Sequence, residues 1–483
     1  MIQRRSFLKT ASLMAAAAAA PRALAHCGSC APKTPTKKPN ILFVLVDDWG
    51  QQDASCYGST FYETPNLDKF AKEAVRFTDG YAGHPVCSPT RAAILTGNNP
   101  VRKEINITDW IPGAGPNKSV RIKIIAPKNE NQLALEQVTI AEALKAAGYS
   151  TWFAGKWHLG NKGFFPEHQG FEVNHGGHHK GSPPGGYYAP FNNPKLTDSP
   201  DGTYLPDRLT DETIKLIKAQ PKDKPFLAYL SYYTVHTPIQ ACKRHIKKFN
   251  AKRDVLHEKL KAENGGKMPP TTKPEIFGKT RVIQNNPAFA SMVYAMDENL
   301  GRLIKALKDS GQYDNTIVYI TGDNGTLATL GGGGPSSAYP LRAGKGWCFE
   351  GGIRVPVIIR DPRAKANGTV CSVPVYAEDY YSTIMEQAGV KMPKGQGLDG
   401  ASLTGLLNGK QSVERTEPMV WHYPRYHGSG HVPSSAIREG DWKLVDNYHL
   451  EKQFLFNLKD DIGETKNLAK SNPKKTAELL KKM

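Results

Sequence analysis

At residues 41–48 the chain reads Ile-Leu-Phe-Val-Leu-Val-Asp-Asp, an apolar run that stops abruptly at two carboxylates. The run has the length of a strand and lacks the alternation of a half-exposed one, which is typical of a strand buried on both faces of a parallel sheet. Further strands are predicted over 150–154, 225–233 and 316–321, with an amphipathic helix over 139–147. This alternation predicts an α/β fold with a mostly parallel central sheet flanked by helices.

The last part of the chain has a different hydrophobic pattern. After about residue 406, short alternating segments replace the long apolar runs, and we predict a small antiparallel sheet followed by a C-terminal helix. The segments predicted as strands are 419–423, 435–438, 442–446 and 453–457. Two other helices are predicted over 64–75 and 288–309. We therefore divide the ordered chain into a large domain at 40–405 and a smaller C-terminal subdomain at 406–483.

The N-terminus has the pattern of an export signal. Arg4-Arg5-Ser6-Phe7-Leu8-Lys9 precedes a short alanine-rich run, and Ala23-Leu24-Ala25 offers small residues for cleavage. We interpret residues 1–25 as a twin-arginine signal peptide, which makes the twin-arginine translocase a partner, and 26–39 as a flexible leader. None of the apolar runs reaches the roughly eighteen residues of a membrane span. We therefore expect a periplasmic or secreted protein with no membrane span.

The composition is that of a globular protein with a strong basic excess. The net charge is +18, and removing the four basic residues of the predicted signal, Arg4, Arg5, Lys9 and Arg22, leaves +14. The excess clusters at 243–261 and 470–482, where a solvated basic helix face is favoured over a dedicated binding patch. No nucleic-acid-binding module is recognisable, so we expect no nucleic-acid partner. The cysteines lack metal-like spacing, and export permits disulfides without requiring them.

A cysteine lies where a helix is predicted to begin. Residues 87–91 read Cys-Ser-Pro-Thr-Arg and precede a helix-forming run. Proline is tolerated at the first helical position, so Ser88 is predicted as the N-cap and Pro89 as the first helical residue. Cys87 would then lie just outside the positive end of the helix, beside the Arg91 cation, where a sulfate or phosphate ester would be held. An inert buried cysteine before an ordinary helix is the alternative.

Hard oxygen ligands follow two of the predicted strands. Asp47 and Asp48 end the first strand, and Asp323 and Asn324 follow the strand at 316–321. Ligands of open α/β sheets bind at the carboxyl ends of strands, so these side chains could share one divalent cation. Three carboxylates and an amide carbonyl favour Ca²⁺, with Mg²⁺ as the alternative, over zinc. Either pair alone would be an ordinary polar turn.

Basic and imidazole side chains occupy other loops of the predicted sheet. These side chains are Lys156, His158, His236 and Lys345. Each alone would be a hydrogen-bonded loop histidine or a solvated lysine. Lys156, Lys345 and Arg91 together would offset the charge of a tetrahedral oxyanion. The glycines of the segment 350–356 are predicted to allow close backbone approach to a ligand.

The order of these motifs resembles that of the type I, formylglycine-dependent sulfatases of the alkaline-phosphatase superfamily. The resemblance runs from Asn40 to about Ala469. Its motifs are Asp47-Asp48, Cys87-Ser88-Pro89-Thr90-Arg91, Gly155-Lys156-Trp157-His158, His236-Thr237-Pro238, Asp323-Asn324-Gly325, Gly344-Lys345-Gly346, Phe456-Asn457-Leu458 and Glu464-Thr465-Lys466-Asn467-Leu468. Thr90 departs from the pattern, because many members carry serine there. The resemblance implies an alkaline-phosphatase-like large domain, with 40–405 as the catalytic domain.

The resemblance also implies a role for each matching residue. A maturation enzyme would oxidise Cys87 to formylglycine, whose hydrated aldehyde supplies the hydroxyl that attacks sulfur. The implied Ca²⁺ ligands are Asp47, Asp48, Asp323, Asn324 and residue 87. Arg91 and His158 would orient the hydrated aldehyde, and His158 would also assist the release of sulfate. Lys156 and Lys345 would bind sulfate oxygens, and His236 would protonate the leaving alcohol.

Two polar segments are candidates for substrate recognition. Residues 176–185 form a glycine-rich insertion that contains His178 and Lys180, and residues 421–427 contain Arg425. These side chains would suit a hydroxyl-rich ring with anionic groups, so the expected substrate is a sulfated carbohydrate, such as a galactose or N-acetylgalactosamine sulfate of a glycan. A structural loop is the alternative for each segment. The alternative functions are a phosphodiester or phosphonate monoester hydrolase and a catalytically silent polyanion-binding protein. A silent protein would lack a metal ligand or the nucleophile, and this sequence has them all.

Overall fold

The structure is a computed structural model that describes residues 37–111, 120–415 and 417–483. The predicted signal peptide and nearly all of the leader lie outside these residues. The strands are β1 (Asn40–Val46), β2 (Val75–Phe77), β3 (Gly80–Tyr81), β4 (Ser150–Gly155), β5 (Val173–His175), β6 (Phe226–Tyr232), β7 (Thr272–Pro274), β8 (Lys279–Arg281), β9 (Thr316–Gly322), β10 (Val357–Arg360), β11 (Val370–Cys371), β12 (Val375–Tyr376), β13 (Met419–Tyr423), β14 (Ser434–Glu439), β15 (Trp442–Asn447) and β16 (Lys452–Asn457). The helices are α1 (Pro65–Ala71), α2 (Cys87–Thr96), α3 (Ile140–Ala146), α4 (Leu205–Ala219), α5 (Ile246–Glu263), α6 (Pro287–Asp309), α7 (Glu350–Ile353), α8 (Asp379–Ala388), α9 (Thr404–Leu407) and α10 (Pro473–Lys482).

The main sheet has eight strands in the order β11-β2-β10-β9-β1-β6-β4-β5. Strands β9, β1, β6, β4 and β5 are mutually parallel, and β10 is the strand that runs antiparallel to both of its neighbours. Side chains of β1 alternate between two separate apolar clusters, with Phe43 in one and Val44 in the other, because each face of the sheet is covered. This confirms the predicted α/β fold with a mostly parallel, doubly covered sheet.

The register of the central strands brings their carboxyl ends to one edge. Val46 at the end of β1 is paired with Tyr232 of β6 and with Gly322 of β9. Gly155 at the end of β4 is paired with Ser231 of β6. The loops that follow these four adjacent strands therefore leave the sheet side by side.

The C-terminal sheet is an antiparallel meander of β13, β14, β15 and β16. Its bounds agree with the predicted strands to within a residue, since the alternation of apolar and polar side chains is a local signal. One face packs Trp421 and Phe456 against Trp347 and Phe349 of the large domain. The division at residue 406 stays a prediction.

Two predicted helix bounds are wrong. Helix α1 ends at Ala71, and Val75 instead begins β2, which pairs with β10. Its β-branched side chain is better suited to a strand than to a helix end. Helix α2 begins at Cys87, so Ser88 is not its N-cap. Pro89 fits inside the first turn because the amide groups of that turn need no intrahelical acceptor.

The basic segment 243–261 falls largely on α5, where Phe249 is the buried side chain of the helix. The basic side chains of the segment are exposed or half-buried, and Lys248 and Lys252 pair with Glu63. The solvated basic face predicted for this segment is therefore observed. Among the described residues, no helix combines the length and the apolar character that crossing a membrane requires. The cysteines within the described ranges are unpaired.

Candidate active site

The carboxyl edge of the sheet gathers the side chains predicted from sequence. Asp47 and Asp48 follow β1, Asp323 and Asn324 follow β9, Lys156 and His158 follow β4, and His236 follows β6. All of them are buried, as are Cys87 and Arg91 on α2 and Lys345 in the loop before α7. The topology alone therefore assembles the cluster, from residues far apart in the chain.

Four potential ligands lie together at this edge. One ligand atom from each of Asp47, Asp48, Cys87 and Asp323 falls within 4.8 Å of the others. Asp47, Cys87 and His236 meet the same criterion, but an oxygen-rich set suits a hard cation better. Among the described residues, Asp47 Oδ1 and Asn324 Oδ1 are buried oxygens with no hydrogen-bond partner. Buried oxygens of this kind fit a divalent cation, which would satisfy both.

Three cations neutralise the three carboxylates. Lys156 Nζ lies 2.6 Å from Asp47 Oδ2, and Lys345 Nζ lies 2.5 Å from Asp48 Oδ1. Arg91 binds Asp323 Oδ2 through Nε at 3.0 Å and through a terminal nitrogen at 2.7 Å. The formal charge of these six groups is zero, so a bound divalent cation would make the site positive. A positive buried site attracts an anionic ester.

Arg91 reaches three partners from its position on α2. Besides Asp323, its guanidinium donates to the Lys156 carbonyl oxygen at 2.8 Å and to Ser231 Oγ at 2.6 Å. These bonds tie α2 to the ends of β4, β6 and β9. The forked donor geometry of arginine makes such a three-way link possible.

Cys87 lies at the centre of the cluster. Its Sγ is 3.3 Å from Lys345 Nζ and 4.0 Å from Asp48 Oδ1. Burial raises the pKa of the Cys87 thiol to about 12, although Lys156 and Lys345 act in the opposite direction. The thiol is therefore protonated at neutral pH and is a weak nucleophile as it stands.

The two histidines of the cluster have different tautomers. His158 Nε2 lies 2.6 Å from the Ile111 carbonyl oxygen. Because a carbonyl oxygen can only accept a hydrogen bond, Nε2 carries the proton of the neutral ring. Nδ1 is then a buried acceptor with no hydrogen-bond partner among the described residues. His236 Nδ1 lies 2.7 Å from the Thr237 carbonyl oxygen, and its Nε2 is 3.9 Å from Asp48 Oδ2. Burial and neighbouring lysines lower the pKa of both rings, that of His236 to about 3.

A cavity of about 700 Å³ opens beside the cluster. It is lined by Asp48, His236 and Lys345 on the side of the cluster, and by Trp110, Lys180 and His427 elsewhere. The Trp110 ring lies edge-on to both His158 and His236, with centroid distances of 5.9 and 5.7 Å. His427 belongs to the segment 421–427 that the sequence offered for substrate recognition, although Arg425 was the residue singled out there. Trp110 was not predicted, because it belongs to no motif with a recognisable spacing.

Of the three predicted substrate-binding residues, one lies in the described lining of the cavity and two do not. Lys180 lines the cavity. His178 is buried, its Nδ1 accepts a hydrogen bond from the Lys180 amide, and its ring is not among the described lining residues. Arg425 donates to the Pro127 carbonyl oxygen and is likewise absent from that described lining.

The glycines of the segment 350–356 pack closely against the backbone of the protein rather than against a ligand site. A Cβ atom at Gly351 would lie 2.4 Å from the Arg342 carbonyl oxygen, and one at Gly352 would lie 2.0 Å from that of Trp347. These glycines let α7 fold back onto the loop that carries Lys345. The predicted close approach is therefore to the backbone of the protein, because the loop must turn tightly to present Lys345.

Comparison with known proteins gives a consistent result over most of the chain. Residues 39–390 match the family model described as Sulfatase, and residues 343–483 match that described as N-sulphoglucosamine sulphohydrolase, C-terminal. A protein named Sulfatase from Formosa agariphila is 29% identical over 93% of this chain and 88% of its own length. The N-acetylglucosamine-6-O-sulfatase of Bacteroides thetaiotaomicron is 27% identical over 93% of this chain and 86% of its own. The crystal structure of Ps i-CgsB in complex with k-i-k-neocarrahexaose superposes with a TM-score of 0.70 at 29% identity, covering 92% of this chain and 91% of that one.

Proposed function

Because this chain belongs to the type I sulfatases of the alkaline-phosphatase superfamily, we propose that it hydrolyses the sulfate ester of a sulfated carbohydrate with a formylglycine made from Cys87 and a bound Ca²⁺ ion. The observation that carries the proposal is the position of Cys87. Its Sγ lies in contact range of Lys345 and Asp48, at the start of α2 and beside the candidate metal ligands. The protonated thiol is poorly suited to attack, which favours a modified side chain at this position.

A formylglycine at position 87 supplies, as its hydrate, one hydroxyl that attacks sulfur and a second whose deprotonation releases sulfate. The neighbouring side chains are suited to those proton movements. His158 presents a buried Nδ1 that has no hydrogen-bond partner in the described ranges and can accept a proton. The resemblance implies that Arg91 orients the hydrated aldehyde. We propose that Arg91 also positions Asp323 and the Lys156 loop, because its guanidinium donates hydrogen bonds to Asp323 and to the Lys156 carbonyl oxygen.

The ligands proposed for Ca²⁺ are Asp47, Asp48, Asp323, Asn324 and residue 87. When bound, the ion polarises the ester and favours ionisation of the nucleophile. Asp47 Oδ1 and Asn324 Oδ1, which have no hydrogen-bond partner among the described residues, support this assignment. Carboxylate and amide oxygens are ligands that Ca²⁺ prefers in proteins.

Lys156 and Lys345 are proposed to bind sulfate oxygens and to stabilise charge in the transition state. Each is fixed by an aspartate, so little reorganisation accompanies substrate binding. His236 is proposed to protonate the leaving alcohol. The pKa of its ring is low in the free site, and the negative charge of a bound ester favours its protonated form.

The carbohydrate assignment rests on relatives and on the cavity. One relative is named as an N-acetylglucosamine-6-O-sulfatase, and a solved neighbour is described in complex with k-i-k-neocarrahexaose. The cavity has room for a sugar ring beside Lys345 and carries Lys180 at its lining. A galactose or N-acetylgalactosamine sulfate of a glycan is the substrate that we propose.

We also propose that residues 1–25 direct export through the twin-arginine translocase to the periplasm or beyond. This route carries folded proteins, so a maturation enzyme would modify Cys87 in the cytoplasm before export. Replacing Arg4 and Arg5 by Lys should leave active enzyme in the cytoplasm. Active enzyme that reaches the periplasm in spite of the change would contradict this route.

The function is tested by measuring sulfate release from a panel of 4- and 6-sulfated galactose, N-acetylgalactosamine and N-acetylglucosamine. We expect release from at least one sugar, and none from the Cys87→Ala variant. The phosphohydrolase alternative is tested with 4-nitrophenyl sulfate and 4-nitrophenyl phosphate, which share a leaving group. Faster turnover of the phosphate ester would contradict the proposed reaction.

A further inference from the structure

His427 lies between β13 and β14 and packs directly on the loop that carries Lys345. A Cβ atom at Gly346 would come within 2.5 Å of His427 Nδ1, and the φ of Gly346 is +84°, so residue 346 has to be glycine for His427 to fit. The His427 ring lies 6.5 Å from that of Trp110, which in turn contacts His236. His427 therefore lies beside the reacting centre, in the lining of the same cavity.

The hydrogen bonds of His427 fix its tautomer. The Ser429 backbone N–H donates to His427 Nδ1 at 3.2 Å, and Ser429 Oγ lies 2.8 Å from the same atom. An imidazole nitrogen that accepts carries no proton of its own, so the neutral ring has its proton on Nε2. Burial and the nearby Lys345 lower the pKa of His427 to about 3, which keeps the ring neutral.

The Nε2–H of His427 has no acceptor within the part of the chain that the structure describes. His427 is 5% exposed, and Nε2 has no hydrogen-bond partner among the described residues. A buried donor left unpaired costs about 1–3 kcal/mol, so such groups are usually satisfied by a ligand or by water. The donor therefore marks a binding position in the cavity wall.

The position of the donor indicates which part of a substrate it meets. The sulfate oxygens are assigned to Lys156 and Lys345, whereas His427 lines the cavity beside Trp110, where the sugar that bears the ester would extend. An N–H donor there suits a hydroxyl oxygen of the sugar. We infer that His427 is a specificity-determining residue, which donates from Nε2 to a hydroxyl oxygen of the sugar that bears the sulfate ester. This inference rests on the proposed function and adds to it a side chain that selects the sugar.

The test compares the turnover of two substrates by the wild type and by three variants. His427→Leu removes the donor, His427→Gln retains an N–H donor, and His422→Leu on β13 is a control outside the described cavity lining. The substrates are the panel sugar that the wild type cleaves fastest and 4-nitrophenyl sulfate, which has no sugar hydroxyl. We expect His427→Leu to lower kcat/KM for the sugar about 10- to 100-fold and for the aryl ester less than about 3-fold. His427→Gln should recover part of the loss, and the control should match the wild type.

Sugar sulfates that lack one hydroxyl at a time complete the test. The wild type should lose about the same factor on one of these deoxy sugars, and His427→Leu should lose nothing further on it. Should His427→Leu fail to fold, His427→Phe, which keeps an aromatic ring but has no N–H donor, gives the same comparison on the deoxy series. Equal losses on sugar and aryl esters, or no loss on the sugar, would overturn the role of His427. A wild type that cleaves the aryl ester and no sugar would instead refute the proposed substrate class, and this inference with it.

Discussion

Lys345 Nζ lies 3.3 Å from Cys87 Sγ, and both side chains are buried although they come from opposite parts of the chain. The same ammonium group is paired with Asp48 at 2.5 Å. One lysine thus connects the residue proposed to become the nucleophile with a proposed metal ligand.

Removing Lys345 should affect both catalysis and stability. In Lys345→Met, Asp48 loses its partner in a buried site, so without Ca²⁺ we expect the free energy of unfolding to fall by about 3–5 kcal/mol. The kcat/KM for 4-nitrophenyl sulfate should fall about 10²- to 10³-fold. Urea unfolding in EGTA and initial rates in Ca²⁺ measure the two effects. The exposed Lys162→Met is the control, and a Lys345→Met protein with wild-type values would refute both roles.

Ca²⁺ should stabilise the folded protein, and Asn324 should contribute to its affinity. Titrating the EGTA-treated protein with Ca²⁺ should raise the thermal midpoint, because an ion that binds the folded state alone stabilises it. Asn324→Leu removes the unpartnered oxygen and should weaken Ca²⁺ about 10- to 100-fold. The amide oxygen of Asn98 is also buried without a hydrogen-bond partner among the described residues, but Asn98 lies outside the cluster, so Asn98→Leu should leave the Ca²⁺ affinity unchanged. Equal Ca²⁺ affinities in wild type and Asn324→Leu would count against Asn324 as a ligand.

A buried ion triad connects the C-terminal sheet to the Lys345 loop. Lys443 Nζ lies 2.9 Å from a carboxylate oxygen of both Glu350 and Glu464, and Glu464 also accepts a 2.7 Å hydrogen bond from the Glu350 amide at the start of α7. Breaking such a buried group by removing one partner costs about 3–5 kcal/mol. We expect that loss for Lys443→Met in urea unfolding.

The surface provides the control for this triad. Lys475 pairs with Glu439 and Glu478 near the C-terminus, and Lys475→Met should cost less than about 1 kcal/mol. Adding Glu464→Gln to Lys443→Met should recover part of the stability, since Lys443→Met leaves Glu464 without its cation partner, whereas Glu350 keeps its ion pair with Arg354 at 2.8 Å. A double variant less stable than Lys443→Met would contradict the claim that an uncompensated carboxylate charge causes the loss of stability.

A buried histidine should make stability fall in acid. Burial lowers the pKa of His431 from the ordinary value of 6.5 to about 3. Between these values the unfolded chain binds a proton that the folded chain does not, so the free energy of unfolding falls as the pH is lowered, by up to about 1.4 kcal/mol per pH unit. His431→Phe keeps the stacking on Tyr423. In this variant the free energy of unfolding should fall less steeply with decreasing pH, by up to about 1.4 kcal/mol per pH unit. Denaturant unfolding from pH 7 to 4 measures it, with the exposed His168→Phe expected to retain the wild-type slope.

The sequence allowed prediction of the elements that rest on local patterns. The apolar run before Asp47 predicted a doubly covered strand, and β13 was predicted with its observed bounds. The structure also gathers the motif residues at one edge, because parallel strands present their carboxyl ends together.

The remaining features depend on tertiary packing that no local pattern records. Ser88 was predicted as an N-cap from preferences at helix starts, yet its hydroxyl accepts a hydrogen bond from the Ile111 amide. His178 and Arg425 lie in polar loops whose side-chain directions only the folded chain defines. Trp110 and His427 reach the cavity from separate loops, so their proximity could not be deduced from spacing.

Mass spectrometry of the tryptic peptide 77–91, from active enzyme purified from its native host, tests the proposed nucleophile most directly. We expect residue 87 to carry an aldehyde, which a hydrazine reagent labels, and the labelled fraction to rise in proportion to the specific activity among preparations. A fully active enzyme whose Cys87 is an unmodified thiol, open to alkylation after unfolding, would contradict this proposal.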